Sequence, residues 1–298
     1  MTRRSNSGEA PASHPPDPTA TTTTGNRVDA APRGEERIRR AFELARDEGR
    51  AALMPYMMAG FPDRESSLSI AAAYADSGAD LIELGVPFSD PLADGPTIHD
   101  AATRALEAGA TLSTALEVSR SVSERLPVVL MVYANMVLSQ GGAAQFAGLA
   151  RAAGAAGAIV PDLPLDEAEE VRDAFGAAGL ALVPLVAPTT SPERRARICD
   201  VAQGFVYVVS TVGTTGERAQ IPAALADLVE ATKAVASTPV AVGFGIGTAA
   251  QAAEVGRIAD GVIIGSRLVR TAAEAGSPGD AADAVAAFLS EARVALAG

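Results

Sequence analysis

The segment 83–97 concentrates the groups best suited to chemistry. It reads Glu-Leu-Gly-Val-Pro-Phe-Ser-Asp-Pro-Leu-Ala-Asp-Gly-Pro-Thr. Three carboxylates, Glu83, Asp90 and Asp94, share it with Pro87, Pro91 and Pro96. An ordinary surface loop needs one or two turn residues. This one joins stiffness to acid groups, as a preorganised site would. The plain alternative is that Asp90 and Asp94 only close Asx-turns. Glu83 lies in an apolar run, Leu81-Ile82-Glu83-Leu84, where alternation puts it on the face of Leu81. A glutamate on an apolar face is paired, structural or catalytic. Its place at the C-terminal end of the run favours function.

Few other groups are on offer. Histidine occurs twice, as His14 and His99, and lysine once, as Lys233. Imine chemistry would therefore have to use Lys233, and a site built on several histidines is excluded. The one cysteine, Cys199, forms no intrachain disulfide or cysteine-rich zinc site and reads as a packed small residue. The formal charge of −12 lacks the basic footprint of a nucleic-acid binder. Carboxylates, hydroxyls and backbone amides remain as agents.

The elements that must position them follow from periodicity. Short apolar runs at 52–58, 80–84, 127–132, 157–161, 181–185, 205–209, 238–242 and 260–264 alternate with alanine-rich stretches of helical period. Those stretches are 65–77, 112–124, 143–153, 166–178, 191–202, 221–235 and 248–256. Ile38, Ala41, Phe42 and Ala45 predict a further helix before the first run. The long gap after the second run leaves room for another near 97–109. Strand–helix alternation is parallel α/β architecture. Eight strands favour a single closed (β/α)8 TIM barrel, with a doubly wound open sheet as the competing layout. Both put a site at the carboxyl ends of the strands.

The domain plan is a disordered tail, 1–33, and a barrel, 34–298. The tail holds Thr21–Thr24 and His14-Pro15-Pro16-Asp17-Pro18 but almost no large apolar residue, so it cannot offset its ordering entropy. No apolar region follows Arg3-Arg4, which argues against an export signal, and no window has the length of a membrane span. The tail is net +1, so the acidity belongs to the barrel.

Continued as Ile98-His99-Asp100-Ala101, the segment 83–97 closely resembles the signature of the tryptophan synthase α subunit family. Further matches are Tyr133-Ala134-Asn135, Pro161-Asp162-Leu163-Pro164, Gly213-Thr214-Thr215-Gly216, Gly243-Phe244-Gly245-Ile246 and Gly265-Ser266. The resemblance spans about 35–295. It implies retro-aldol cleavage of indole-3-glycerol phosphate to indole and glyceraldehyde 3-phosphate. Protonating indole C3 makes the substrate its own electron sink, which suits a chain with one lysine. By the same resemblance, Glu83 is the acid–base and Asp94 the carboxylate that holds the indole N–H. Glu83 is then expected to keep a proton near neutral pH and Asp94 to be ionised.

Tyr56, Leu130, Tyr133 and Phe244 are expected to line the indole pocket, with Tyr207 and Thr215 also near the substrate. Gly216, Gly243, Gly245, Gly265 and Ser266 are expected to seat the phosphate, glycine admitting backbone amides close to a dianion. The motif Gly243–Thr248 lacks the third glycine of a dinucleotide fingerprint. Asp90, Pro91, Asn135 and Asp162 are expected to face a β subunit in an α2β2 complex. No metal or cofactor is expected in this chain, pyridoxal phosphate belonging to the β partner. The expected location is the cytoplasm. Three positions depart from the family pattern: Thr211, arginine in some members; Gly247, commonly serine; and His99, commonly glutamine. Competing readings are another enzyme on the same scaffold or a non-catalytic chain that activates a partner. An intact 83–97 segment argues against both.

Overall fold

The structure is a computed structural model that describes Thr2 and residues 33–139, 141–209, 223–243 and 245–298. The proposed tail, apart from Thr2 and Arg33, lies outside the described residues. So do Gln140, residues 210–222, Thr211 among them, and Phe244.

Nine parallel strand segments form one sheet: β1 (Ala52–Met58), β2 (Ile82–Gly85), β3 (Val128–Met131), β4 (Gly157–Ile159), β5 (Ala181–Val183), β6 (Leu185–Val186), β7 (Val206–Val209), β8 (Val240–Gly243) and β9 (Gly261–Ile264). Their order is β5-β4-β3-β2-β1-β9-β8-β7-β6. The first and last members are consecutive in sequence, separated by Pro184 alone. The fifth apolar run is thus one extended path in two halves. Pro184 has no N–H to donate, so the ladder breaks there. The half before it pairs with β4 and the half after it with β7, while Pro184 O still accepts from Tyr207 N at 3.0 Å. That shared path closes the ring as an eight-stranded barrel and rules out the open sheet.

The helices are α1 (Gly34–Asp47), α2 (Arg64–Asp76), α3 (Pro96–Glu107), α4 (Leu112–Val122), α5 (Ala134–Ser139), α6 (Ala143–Ala152), α7 (Glu169–Ala178), α8 (Pro192–Asp200), α9 (Ala223–Lys233), α10 (Ala249–Gly256), α11 (Ser266–Ala273) and α12 (Pro278–Leu296). The expected extra helices are α1 and α3. α3 begins with Pro96 at its first position, where a missing N–H does no harm. Three elements lie outside the periodicity reading: α5, too short to show a helical period, α11 and the long α12.

Two apolar shells follow from strand alternation. The inner one holds Met54, Leu81, Val129, Ile159, Val183, Phe205, Tyr207 and Ile263. α1 plugs its lower end with Ile38 and Phe42, the Phe42 and Phe205 rings standing 5.7 Å apart. Arg37 fastens α1 from the other side, donating to the carbonyls of Gly154, Leu126 and Ser123. Those carbonyls lie just beyond the ends of α4 and α6, where helices leave acceptors unfilled. The outer shell packs the opposite strand faces, such as Ile82, Leu84 and Leu130, against the helices.

At the lower rim Asp80 joins β1 to β2. Its two oxygens accept from Arg50 at 2.6 and 2.7 Å, and one also accepts from Leu53 N at 2.7 Å. The Arg50 side chain is 2% exposed. Removing one partner of such a pair strands a buried charge. Asp80→Ala should destabilise the fold by roughly 3 kcal/mol in a denaturant titration. A loss below about 1 kcal/mol would show that Glu48, also paired with Arg50 at 2.9 Å, replaces it.

Candidate active site

The upper mouth of the barrel gathers the acids. Leu81, just before β2, packs in the lumen; Glu83 follows on the same face and lies level with Tyr56 on β1 and Val129 on β3. Glu83 is 2% exposed, and its Oε2 has no hydrogen-bond partner. Burial among apolar neighbours disfavours the carboxylate, and the charge of Asp94 adds to this. Together they push Glu83 up to about 8.

Asp94 is half-buried in the loop between β2 and α3. Burial raises its pKa, opposed by a hydrogen bond from the Tyr133 hydroxyl and by the charge of His99. Tyr133 follows β3. Its hydroxyl accepts from Ala93 N at 3.1 Å, and its ring stacks on Phe88 at 5.1 Å. One tyrosine therefore holds both the backbone and the carboxylate of the acidic loop. Phe88 is a support that sequence reading passed over, although it lies inside the quoted segment.

Tyr56 and Tyr207 complete the mouth. Both are buried in the same field of Glu83 and Asp94. Each lies across a glycine: a methyl group at Gly85 would strike the Tyr56 hydroxyl, and one at Gly243 the Tyr207 hydroxyl. Gly243 is thus required by Tyr207, whatever else it does.

Leu130 requires a correction. It is fully buried in the outer shell, against the helices, so it does not line the mouth. Its neighbours Val129 and Met131 carry the lumen face of β3, and Met131 lies level with Gly85. Alternation counted along 128–131 contains that signal.

The glycine set is divided. Gly216 lies outside the described residues, as do Thr215 and Phe244. Gly245 follows β8, and Gly265 is the N-cap of α11, with Ser266 buried at the first helical position. No side chain caps α11, whereas Thr248 and Gln251 close the start of α10 reciprocally. The leading amides of α11 are therefore the ones left for an anion.

Asp90 is exposed and accepts from Ser89 Oγ at 2.6 Å. Pro91 is half-buried beside Leu92, which is 83% exposed. Asn135 is exposed on α5. Asp162, after β4, accepts from Ala134 N at 2.8 Å and so caps α5 from a separate loop. Lys233 is far from this chemistry in role: it pairs with Asp260 at 2.7 Å on the outer layer.

The family model for the tryptophan synthase alpha chain matches residues 42–296. The chain belongs to the tryptophan synthase alpha chain family. An alpha chain of Prochlorococcus marinus is 46% identical over 255 residues, which is 85% of this chain and 92% of that one. An alpha chain of Chloroflexus aggregans is 47% identical over 78% of this chain and 88% of its own. Among solved structures, a chain of Mycobacterium tuberculosis tryptophan synthase superposes with a TM-score of 0.81 at 39% identity, covering 87% of this chain and 98% of that one. The alpha subunit of Legionella pneumophila gives 0.80 at 38% identity, over 87% and 98%. The family's reaction, and this chain's, is the lyase step that cleaves indole-3-glycerol phosphate to indole and glyceraldehyde 3-phosphate. Among the described residues, no helix is long and apolar enough to cross a membrane.

Proposed function

We propose that Glu83 and Asp94 divide the cleavage between them. Glu83 gives its proton to indole C3. The ring becomes an indolenine, and Asp94 accepts the hydrogen bond of its N–H and stabilises the positive charge. The bond from C3 to the glycerol carbon then breaks, its electrons return to the ring, and the carbinol proton passes to the Glu83 carboxylate. Indole and aldehyde leave with Glu83 protonated again. The observation that carries this reading is the burial of Glu83 in the lumen with a pKa raised to about 8 beside a carboxylate held by Tyr133.

The rings of Tyr56, Tyr133 and Tyr207, with Met131, form the walls for indole. Gly245, Gly265 and Ser266 seat the phosphate at the open start of α11, joined by Gly216 and Gly243. Thr215 and Phe244 are proposed as further substrate contacts. Asp90, Pro91, Asn135 and Asp162 belong to the face that meets a β subunit. Pyridoxal phosphate is the cofactor of that subunit, and the pair works in the cytoplasm. The domain plan remains a tail, 1–33, and a catalytic barrel, 34–298.

The test follows indole release from indole-3-glycerol phosphate, with and without a tryptophan synthase β subunit. Slow release alone and a strong rise with the partner are expected. No indole in either case would overturn the residue assignment, and equal rates would overturn the partner face.

A further inference from the structure

Tyr56 has a group that the mechanism above leaves idle. Its backbone is pinned, because the Tyr74 hydroxyl donates to Tyr56 O at 3.0 Å from the helix layer. Its Cβ lies 3.7 Å from where a side chain on Gly265 would begin, next to the start of α11. Its hydroxyl reaches over Gly85, two residues beyond Glu83 on the same face of β2. The ring therefore spans the distance from the proposed phosphate seat to the proposed acid. Glu83, level with Tyr56 on the neighbouring strand, has its Oε2 buried with no hydrogen-bond partner. A buried acceptor left unfilled in an apolar lumen points to a polar ligand beside it, since buried donors and acceptors are otherwise paired.

We propose that the Tyr56 hydroxyl hydrogen-bonds a hydroxyl of the substrate's glycerol chain, making it a substrate-contacting residue that aligns the bond to be broken. This rests on the reaction assigned above. The chain that joins an indole at Glu83 to a phosphate at α11 must pass under Tyr56, and its hydroxyls are its only polar groups there. Burial pushes the Tyr56 phenol well up, so it stays protonated and can donate. A phenylalanine in its place would keep the wall and lose only the donor.

The test compares two ligands on the full chain and on Tyr56→Phe. One is indole-3-glycerol phosphate. The other is its analogue with both chain hydroxyls replaced by hydrogen, an indole joined to phosphate through three methylenes. Tyr56→Phe should lower kcat/KM for the substrate by roughly tenfold. Calorimetric affinity for the analogue should change less than twofold, which also shows that the variant is folded. Equal losses for both ligands, or no loss for either, would overturn the contact. If the unsubstituted chain bound the analogue yet released no indole, the reaction assignment would fail and the contact with it. If it released indole and Tyr56→Phe matched it throughout, only the contact would fail.

Discussion

Glu83→Gln should abolish indole release, with kcat falling by roughly 10²–10⁴-fold, while the protein stays folded and becomes more stable at neutral pH. The amide keeps the shape of the side chain but neither gives nor takes the proton that the cleavage needs. The stability gain follows from linkage. Glu83 holds its proton up to about 8 in the folded chain. In the unfolded chain a glutamate loses it near ~4.3. Between those values the folded state binds the extra proton. The stability of the natural chain therefore falls as pH rises, by up to about 1.4 kcal/mol per pH unit. Glutamine does not titrate. The gap between variant and natural chain should be absent below about pH 4, widen through the window, and level off above about pH 8. Urea unfolding at four pH values measures it. A gap that does not grow with pH would show that Glu83 is ionised in the fold, and it could not then be the acid. The same group sets the alkaline limb of kcat/KM, which should fall as pH rises through about 8.

How far these features can be read from sequence depends on what kind of interaction sets them. Strand alternation alone put Glu83 and Leu81 on one face, and the structure makes that face the lumen. The same rule applied one strand later selects Met131. Leu130, which the resemblance leads one to expect in the pocket, faces the helices. The barrel's eight runs were legible because buried parallel strands are continuous apolar stretches. The break at Pro184 was not, since it depends on which neighbour each half meets. α5 has six residues and is capped by Asp162 from a loop 28 residues on, a contact with no local signature. Gly243 shows the opposite difficulty. Its glycine pattern suits an anion seat, yet the Tyr207 ring that fills the space above it is a sufficient cause. The hold of Tyr133 on the acidic loop is likewise a meeting of two segments 40 residues apart.

That hold makes Asp94→Asn the second decisive variant, with kcat expected to fall roughly 10²–10³-fold. Asparagine retains an oxygen, so it can still accept from the Tyr133 hydroxyl, and Tyr133 can still accept from Ala93 N. The loop should therefore keep its course, and the loss should isolate the charge. Only the transition state carries a positive indolenine nitrogen, so KM should move little compared with kcat. The acid limb of the pH profile should also change. Burial raises Asp94 above the usual carboxylate range, with the Tyr133 bond and the His99 charge opposing it. In the natural chain activity should fall as pH drops through that raised value, because the carboxylate must be ionised to act. In Asp94→Asn this limb should vanish, while the alkaline limb from Glu83 remains, moved slightly lower because the neighbouring charge is gone. If the variant kept full kcat, or lost activity with its acid limb intact, the division of labour would be wrong. Activity lost in proportion to KM would instead assign Asp94 to binding alone, and the charge on the indole nitrogen would need another source of stabilisation.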